Sequence, residues 1–427
     1  MGGPGRKRKK EAQQVRSVSQ RQQRAAPRRA ASGALAPEVG KVKRRVRKKF
    51  KLFSARGGVD RPLFYLILVL LVIGLIMLFS ASYAYSYYYF DNSYHFITPQ
   101  ALFAVFGLVL MGLISLFDYH HLHKFAFPLF FITLGLLVAV KVLAGTSIAP
   151  ILNGANRWLY IGPVNFQPSE VAKFALVLIF AHLISINYHK MGTFRYGVLP
   201  YLIILLMIAG LILVENHVSA TLIILAIAAV MLFIGGVKLR WFGVAGGLAG
   251  VGILYLVLYS DKFSYALDRI KGWWYPFNPP EGVDTWQTQQ SLMAIGSGQA
   301  LGLGLGQSRQ KYLYLPEPQN DFIFAIVCEE LGFVGALVII LLFALLIWRG
   351  IVVSLNANDK FGTMLGIGIT AQVGIQVILN IMVVTNSIPN TGISLPFFSY
   401  GGTSLVILLC EMGVLLSISR SSSLDKT

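Results

Sequence analysis

The stretch DFIFAIVCEELGFVGALVIILLFALLIW, residues 321–348, decides how the chain is read. A bilayer core about 30 Å thick takes about 20 apolar residues in a helix, and this run exceeds that length. It nevertheless carries three carboxylates: Asp321 at its head, and Glu329 and Glu330 within it. Ionisable groups in a membrane helix are costly and normally face the protein interior or a watery cavity. The stretch therefore implies a membrane span together with neighbours that can receive charge.

Apolar runs of this kind recur from residue 62 onward. Ten spans are expected, near 62–84, 97–117, 124–145, 169–187, 197–214, 218–236, 240–259, 321–348, 361–385 and 400–419. Composition agrees, with 55% hydrophobic and 13% charged residues where a soluble chain has about 25% charged. The expected fold is an all-α polytopic integral membrane protein of about ten transmembrane helices, its membrane domain covering 62–419.

The formal charge of +19 is unevenly placed, because 20 of the 37 Lys and Arg precede residue 62, against three acids there. The leader 1–61 also holds Gln, Ala, Pro and Ser, so a disordered basic tail is expected. No aromatic residue interleaves its charges until Phe50. Anionic membrane lipid is thus its expected partner, rather than nucleic acid. A signal peptide is excluded by the length of the basic stretch and by the missing small-residue cleavage pattern. Positive charge holds the N-terminus in the cytoplasm, and ten spans return the short tail 420–427 to the same side. Basic residues in DYHHLHK, NYHKMGTFRYG and GGVKLRW fit inward-facing loops. The two cysteines, Cys328 and Cys410, offer neither a disulfide framework nor a CxxC metal pattern.

Two segments on the outer side are unusual. TSIAPILNGANRWLYIGPVNFQP, 146–168, is a compact aromatic connection, and 260–320 is a much longer loop between the seventh and eighth spans. Long loops in compact proteins are usually functional, so chemistry is expected on that face.

Asp321 has two readings. It is a helix-start acid that suits the dipole, or a partly desolvated carboxylate with a raised pKa, suited to act as a base. Helix rise places Glu329 and Glu330 about 12–14 Å further along, near the bilayer middle, where at least one is expected to be a structural anchor. In FQPSEVAKF, Glu170 and Lys173 stand at i and i+3 on one helix face, as an internal ion pair, an anion-receiving wall with Arg157, or both. The glycine series GSGQALGLGLGQSRQK matches neither Walker A nor GxGxxG, so tight turns and close backbone approach are its default reading. Arg309 and Lys311 beside it are candidates to meet a lipid-linked phosphate. SIPNTGISLPFFSYGGTSL, 387–405, breaks an apolar region with Pro389, Gly392, Pro396, Gly401 and Gly402. Irregular backbone at that depth lines a cavity or is buried by protein, which makes Ser399, Gly401 and Gly402 site candidates. HHLH (His120, His121, His123) lies in a short loop with Asp118 as its neighbouring acid, a poor zinc site. His217 is expected as a local cap or an interfacial residue.

The pieces ANRWLYIG with FQPSEVAK, then QSLMAIGSG with GLGLGQSRQKYLYLPEPQNDFIFAIVCEELGFVG, then NTGISLPFFSYGGTSL, together resemble the SEDS family of peptidoglycan polymerases (FtsW, RodA and SpoVE). The wording GQSRQKYLYLPEPQNDFIF is closest to the FtsW/SpoVE branch. The resemblance implies a glycosyltransferase that polymerises lipid II at the bacterial plasma membrane, enriched at the division septum. It implies a class B penicillin-binding transpeptidase and other division proteins as partners. Asp321 is implied as the catalytic residue that deprotonates the acceptor sugar. Charge on the leaving pyrophosphate asks for cations, for which Arg157, Lys173, Arg269, Lys271, Arg309 and Lys311 are candidates, or for a divalent cation (Mg or Mn) whose ligands stay unknown. No organic cofactor is implied. Gln290 and Ser291, which open the second matching piece, join the substrate-binding candidates. Two departures stand out: Asn320 replaces the Thr common before the catalytic Asp, and ENHVSA replaces the family's Pro-Asp-x-Gly turn. A lipid II flippase and a non-catalytic division scaffold are the alternative readings.

Overall fold

The computed structural model describes residues 57–150, 156–162, 164–247, 250 and 270–422. Residues 1–56 of the basic leader, most of the expected seventh span, Arg269 and the last five residues lie outside the described residues. The rest is a helical membrane fold. Its helices are α1 (Arg61–Phe90), α2 (Ile97–Leu116), α3 (Leu122–Val142), α4 (Pro168–Asn187), α5 (Leu199–Val214), α6 (Val218–Ile234), α7 (Trp286–Gly298), α8 (Ile323–Leu355), α9 (Lys360–Val384) and α10 (Gly402–Ser421). A small antiparallel hairpin, β1 (Leu159–Ile161) and β2 (Val164–Phe166), pairs Leu159 with Phe166. Among the described residues, eight segments are long and apolar enough to cross a membrane; α6 is apolar but 17 residues long. Residues 239–247 open the expected seventh span as helix. The hairpin and the loop 270–320 share one end of the bundle, called the loop face below.

In the bundle α10 packs along α2, α9 between α4 and α8, and α8 along α1. Small residues permit this. Opposite the loop face, Asp60 caps α1 by accepting from the Leu63 amide at 2.9 Å. The same carboxylate receives Arg349 of α8 at 2.7 Å, and the Asp60 amide donates to Ser419 of α10 at 3.1 Å. One acid thus ties three helices together. Nearby, Tyr119 donates to Asp359 at 2.5 Å, and His123 meets His182 at 2.7 Å. The HHLH histidines therefore serve packing between α3, α4 and α9, and Asp359 joins Asp118 as a second acid beside them.

The stretch expected as one straight span is broken. Gly332 has φ 67° and ψ −170°, so α8 is two helices joined at a kink. Four backbone groups lose their helical partners there, and the glycine-rich loop supplies all four. The Leu303 and Gly304 amides donate to the Glu329 and Glu330 carbonyls at 3.0 Å each. In return the Phe333 and Val334 amides donate to the Gln299 and Ala300 carbonyls at 2.9 and 3.1 Å. A Cβ on Gly332 would lie 2.2 Å from the Gly302 nitrogen, so the contact requires glycine. Phe333 to Leu355 rises about 34 Å and crosses a bilayer core alone. Glu329 and Glu330 consequently lie at the loop-face end of the span, not at the mid-bilayer depth that a straight helix implies.

Candidate active site

A cavity of about 640 Å³ opens on the loop face between α2, α4, α6, α9, α10 and the irregular segment 386–401. It gathers Asp321, Arg157, Glu170, Lys173, Ser399, Gly401 and Gly402, residues spread over almost 250 positions of the chain. Several elements hold this arrangement.

Asp321 is set by its backbone rather than by a side-chain partner. Asn380 of α9 donates from Nδ2 to the Asp321 carbonyl at 2.7 Å and to the Ile393 carbonyl at 2.6 Å. One amide thus pins the start of α8 to the irregular segment. The Tyr400 amide donates to the Gln319 carbonyl at 2.8 Å and adds a second pin. Gly392, at φ +68°, passes so close that a Cβ there would stand 3.3 Å from Asp321 Oδ2. Burial raises the Asp321 carboxyl to about 6, with the Glu317 charge adding to the rise against a lowering backbone hydrogen bond. A carboxylate of that strength is ionised at neutral pH and still basic enough to accept a proton. The helix-cap reading does not describe it: α8 begins at Ile323, and Phe322, not Asp321, occupies the capping position.

Charge lines the walls. Lys173 Nζ meets Glu170 Oε1 at 2.8 Å, and the lysine is fully buried. The spacing in α4 dictates this pair, which is both a structural contact and part of the cavity lining. Arg157 donates from Nη2 to the Asn216 carbonyl at 2.8 Å and so fastens the turn between α5 and α6 to the strand hairpin. His217 in that turn lines the cavity and is buried, not interfacial. Burial, then the Arg157 and Lys173 cations, push its imidazole down to about 3 and keep it neutral. Ser219 donates to the Thr391 carbonyl, tying α6 to the irregular segment. Gln100 of α2 accepts from the Gly401 amide at 3.1 Å and orders the Gly401–Gly402 turn.

Glu411 of α10 also lines the cavity, and both its oxygens accept from Gln372 of α9 at 2.9 Å. Sequence reasoning passed over it. The available signal was an acid inside the last apolar span, the same signal carried by Glu329.

Other candidates sit elsewhere. Lys311 is buried and paired with Glu330 Oε1 at 2.9 Å, and it also donates to the Gly306 carbonyl and to Ser80 of α1. Glu329 accepts from the Ser308 hydroxyl at 2.5 Å and from the Arg309 amide at 3.0 Å. These two acids anchor the loop to the kink. Arg309 lines a separate recess of about 550 Å³ with Tyr312 and Tyr314. Gln290 and Ser291 are buried in α7, where the Ser291 hydroxyl donates to the Val384 carbonyl at 2.8 Å. Lys271 is exposed and outside the cavity lining. Among the described residues no three His, Cys, Asp or Glu side chains converge as metal ligands.

A bundle of membrane-crossing helices with a charged cavity on one face is the architecture of a polytopic membrane protein. The chain belongs to the cell cycle protein family of FtsW, RodA and SpoVE, whose pattern matches residues 61–424. It is 40% identical over 369 residues to stage V sporulation protein E of Bacillus subtilis (strain 168), covering 86% of this chain and 99% of that one. It is 39% identical over 364 residues to a probable peptidoglycan glycosyltransferase FtsW of Geobacter sp. (strain M18), covering 85% and 97%. Solved structures share the fold. A chain from a structure on the coordination of polymerization and crosslinking by a peptidoglycan synthase complex superposes with TM-score 0.69 at 25% identity, covering 86% and 99%. The Thermus thermophilus rod shape determining protein RodA superposes with TM-score 0.61 at 25% identity, covering 86% and 98%.

Proposed function

We propose that the chain is a peptidoglycan glycosyltransferase that polymerises lipid II, with Asp321 as the general base. The observation that carries this reading is Asp321 itself: a carboxylate raised to about 6, held by its backbone at the rim of a cavity that also presents Arg157 and Lys173. Asp321 takes the proton of the acceptor sugar's 4-hydroxyl as that oxygen forms a bond to the anomeric carbon of the growing strand. The bond from that carbon to the pyrophosphate oxygen breaks, and undecaprenyl pyrophosphate leaves with the electron pair. Attack opposite the leaving group inverts the centre and makes a β-1,4 link. Arg157 and Lys173 receive the negative charge of the pyrophosphate, an electrostatic role worth most where water is excluded. Phe103, Phe397, Leu405 and Leu408 give the same cavity an apolar wall for the lipid's first isoprene units.

A class B transpeptidase is the proposed partner, supported by the likeness to a chain of a peptidoglycan synthase complex. Enrichment at the division septum is part of the same proposal, supported by the likeness to FtsW relatives. The decisive assay gives lipid II to the purified chain with that transpeptidase and resolves glycan products on a gel. Polymer from the wild type, and none from Asp321→Ala, is expected. Polymer at near wild-type rate from Asp321→Ala overturns the base assignment. Lipid II moved across liposomes without polymer would instead favour transport, with Lys173 and Glu411 as its buried charges.

A further inference from the structure

An aromatic strip leaves the cavity along the top of α1. Tyr400, which lines the cavity, packs edge-on against Phe96 with ring centroids 4.8 Å apart. Phe96 meets Tyr85 at 6.0 Å, Tyr85 meets Tyr89 at 4.5 Å, and Tyr89 meets Tyr88 at 5.0 Å. A branch from Phe96 reaches Phe90, which stacks on His95 at 3.8 Å and 5° between planes. Tyr88 is 68% exposed and Tyr89 58%.

Aromatic side chains near a helix end usually belong to the belt at the headgroups. Height argues otherwise here. Tyr88 stands about 40 Å along α1 from Arg61, while the hydrocarbon core takes about 30 Å. Arg61 itself follows the Asp60–Arg349 pair at the opposite end, so the excess length is on the loop face. The exposed rings thus rise past the lipid core and connect to the cavity wall through the Phe96–Tyr400 contact. A flat ring with a hydroxyl edge matches a sugar, which offers an apolar C–H face and polar rims.

We infer that Tyr88, Tyr89 and Phe90, joined through Tyr85 and Phe96 to Tyr400, form a binding track for a β-1,4-linked N-acetylhexosamine strand emerging from the cavity. The ligand class rests on the glycosyltransferase reading, but the track itself is testable without catalysis. The rings hold the product in register over the cavity mouth, which favours further additions to the same strand over release.

The test uses the full chain in lipid nanodiscs and a β-1,4-linked N-acetylglucosamine hexamer as probe, followed by saturation-transfer NMR and titration. Wild type is expected to bind. Tyr88→Ala and Tyr89→Ala should each weaken binding about 5-fold, the scale of one aromatic contact. Tyr89→Phe should keep most of it. Tyr87→Ala is the control, since Tyr87 is equally exposed and has no ring partner among the described residues. In the polymerisation assay the Tyr88→Ala/Tyr89→Ala pair should shorten the glycan products without abolishing them. Asp321→Asn should bind the hexamer like wild type while making no polymer. Polymer from Asp321→Asn would defeat the base assignment and leave the track standing. No hexamer binding by wild type overturns the track. So does equal weakening by Tyr87→Ala, or variants that lower bilayer stability and leave hexamer affinity unchanged.

Discussion

Asp321 and the pair Glu329–Glu330 lie within ten residues of one another and are opposite kinds of carboxylate. Asp321 has its backbone clamped by Asn380 and its side chain turned to a cavity. Glu330 is wholly buried, with Ser80 and Lys311 filling its oxygens, and Glu329 is occupied by Ser308 and loop amides. An acid that lines an open cavity is available for proton transfer. One whose lone pairs are satisfied by protein is a fastening. The difference arises at Gly332, because the kink admits the loop 299–311 to the second pair and leaves the first at the rim.

Breaking each kind of acid should therefore fail differently. Asp321→Asn is expected to lower the rate of glycan formation about 10³-fold or more, with thermal unfolding unchanged; a gel assay and a melting curve on one preparation check both. Glu330→Ala leaves the buried Lys311 ammonium unpaired and should cost about 3–5 kcal/mol of stability. A melting temperature within a degree of wild type would remove the fastening role, and Glu330→Gln with Lys311→Met should recover most of the loss. Gly332→Ala forces a Cβ into the loop backbone at a left-handed φ, and about 1–3 kcal/mol of destabilisation is expected from that strain. Proteolysis of the loop 299–311 reports whether the loop is released.

Smaller effects sharpen the contrast at the rim. The proposed base acts ionised, so activity should fall as pH drops through about 6, the raised value of Asp321, instead of near 4. Glu317→Gln removes a like charge that contributes to that rise, so the acid limb should move to lower pH. A limb that stays in place under Glu317→Gln assigns it to another group. Arg309→Ala should leave polymerisation within about 2-fold, since its side chain lines a different recess and only its backbone amide serves Glu329. A large loss would bring that recess into the substrate path.

Particular residues show what was legible in the chain. Hydropathy located the long helices because a bilayer demands length and apolarity at every span. Spacing alone paired Glu170 with Lys173, since i and i+3 share a helix face in any helix. The kink was not legible, because a single Gly inside an apolar run reads like any other small residue. Lys311 looked like a phosphate cation for the same reason: nothing local reveals that Glu330 waits for it across a turn. Glu411 escaped notice although it stands alone in an apolar span, and its partner Gln372 is 39 positions away.

The sequence by itself determined a helical membrane protein and its family. Those properties follow from composition, from 20-residue apolar runs and from ordered motifs, all of which are local along the chain. Tertiary structure alone decided which charges share one cavity and which seal a kink. That choice depends on long-range contacts such as Asn380 with Asp321 and Lys311 with Glu330, where burial and hydrogen-bond satisfaction, rather than residue type, assign each group its work.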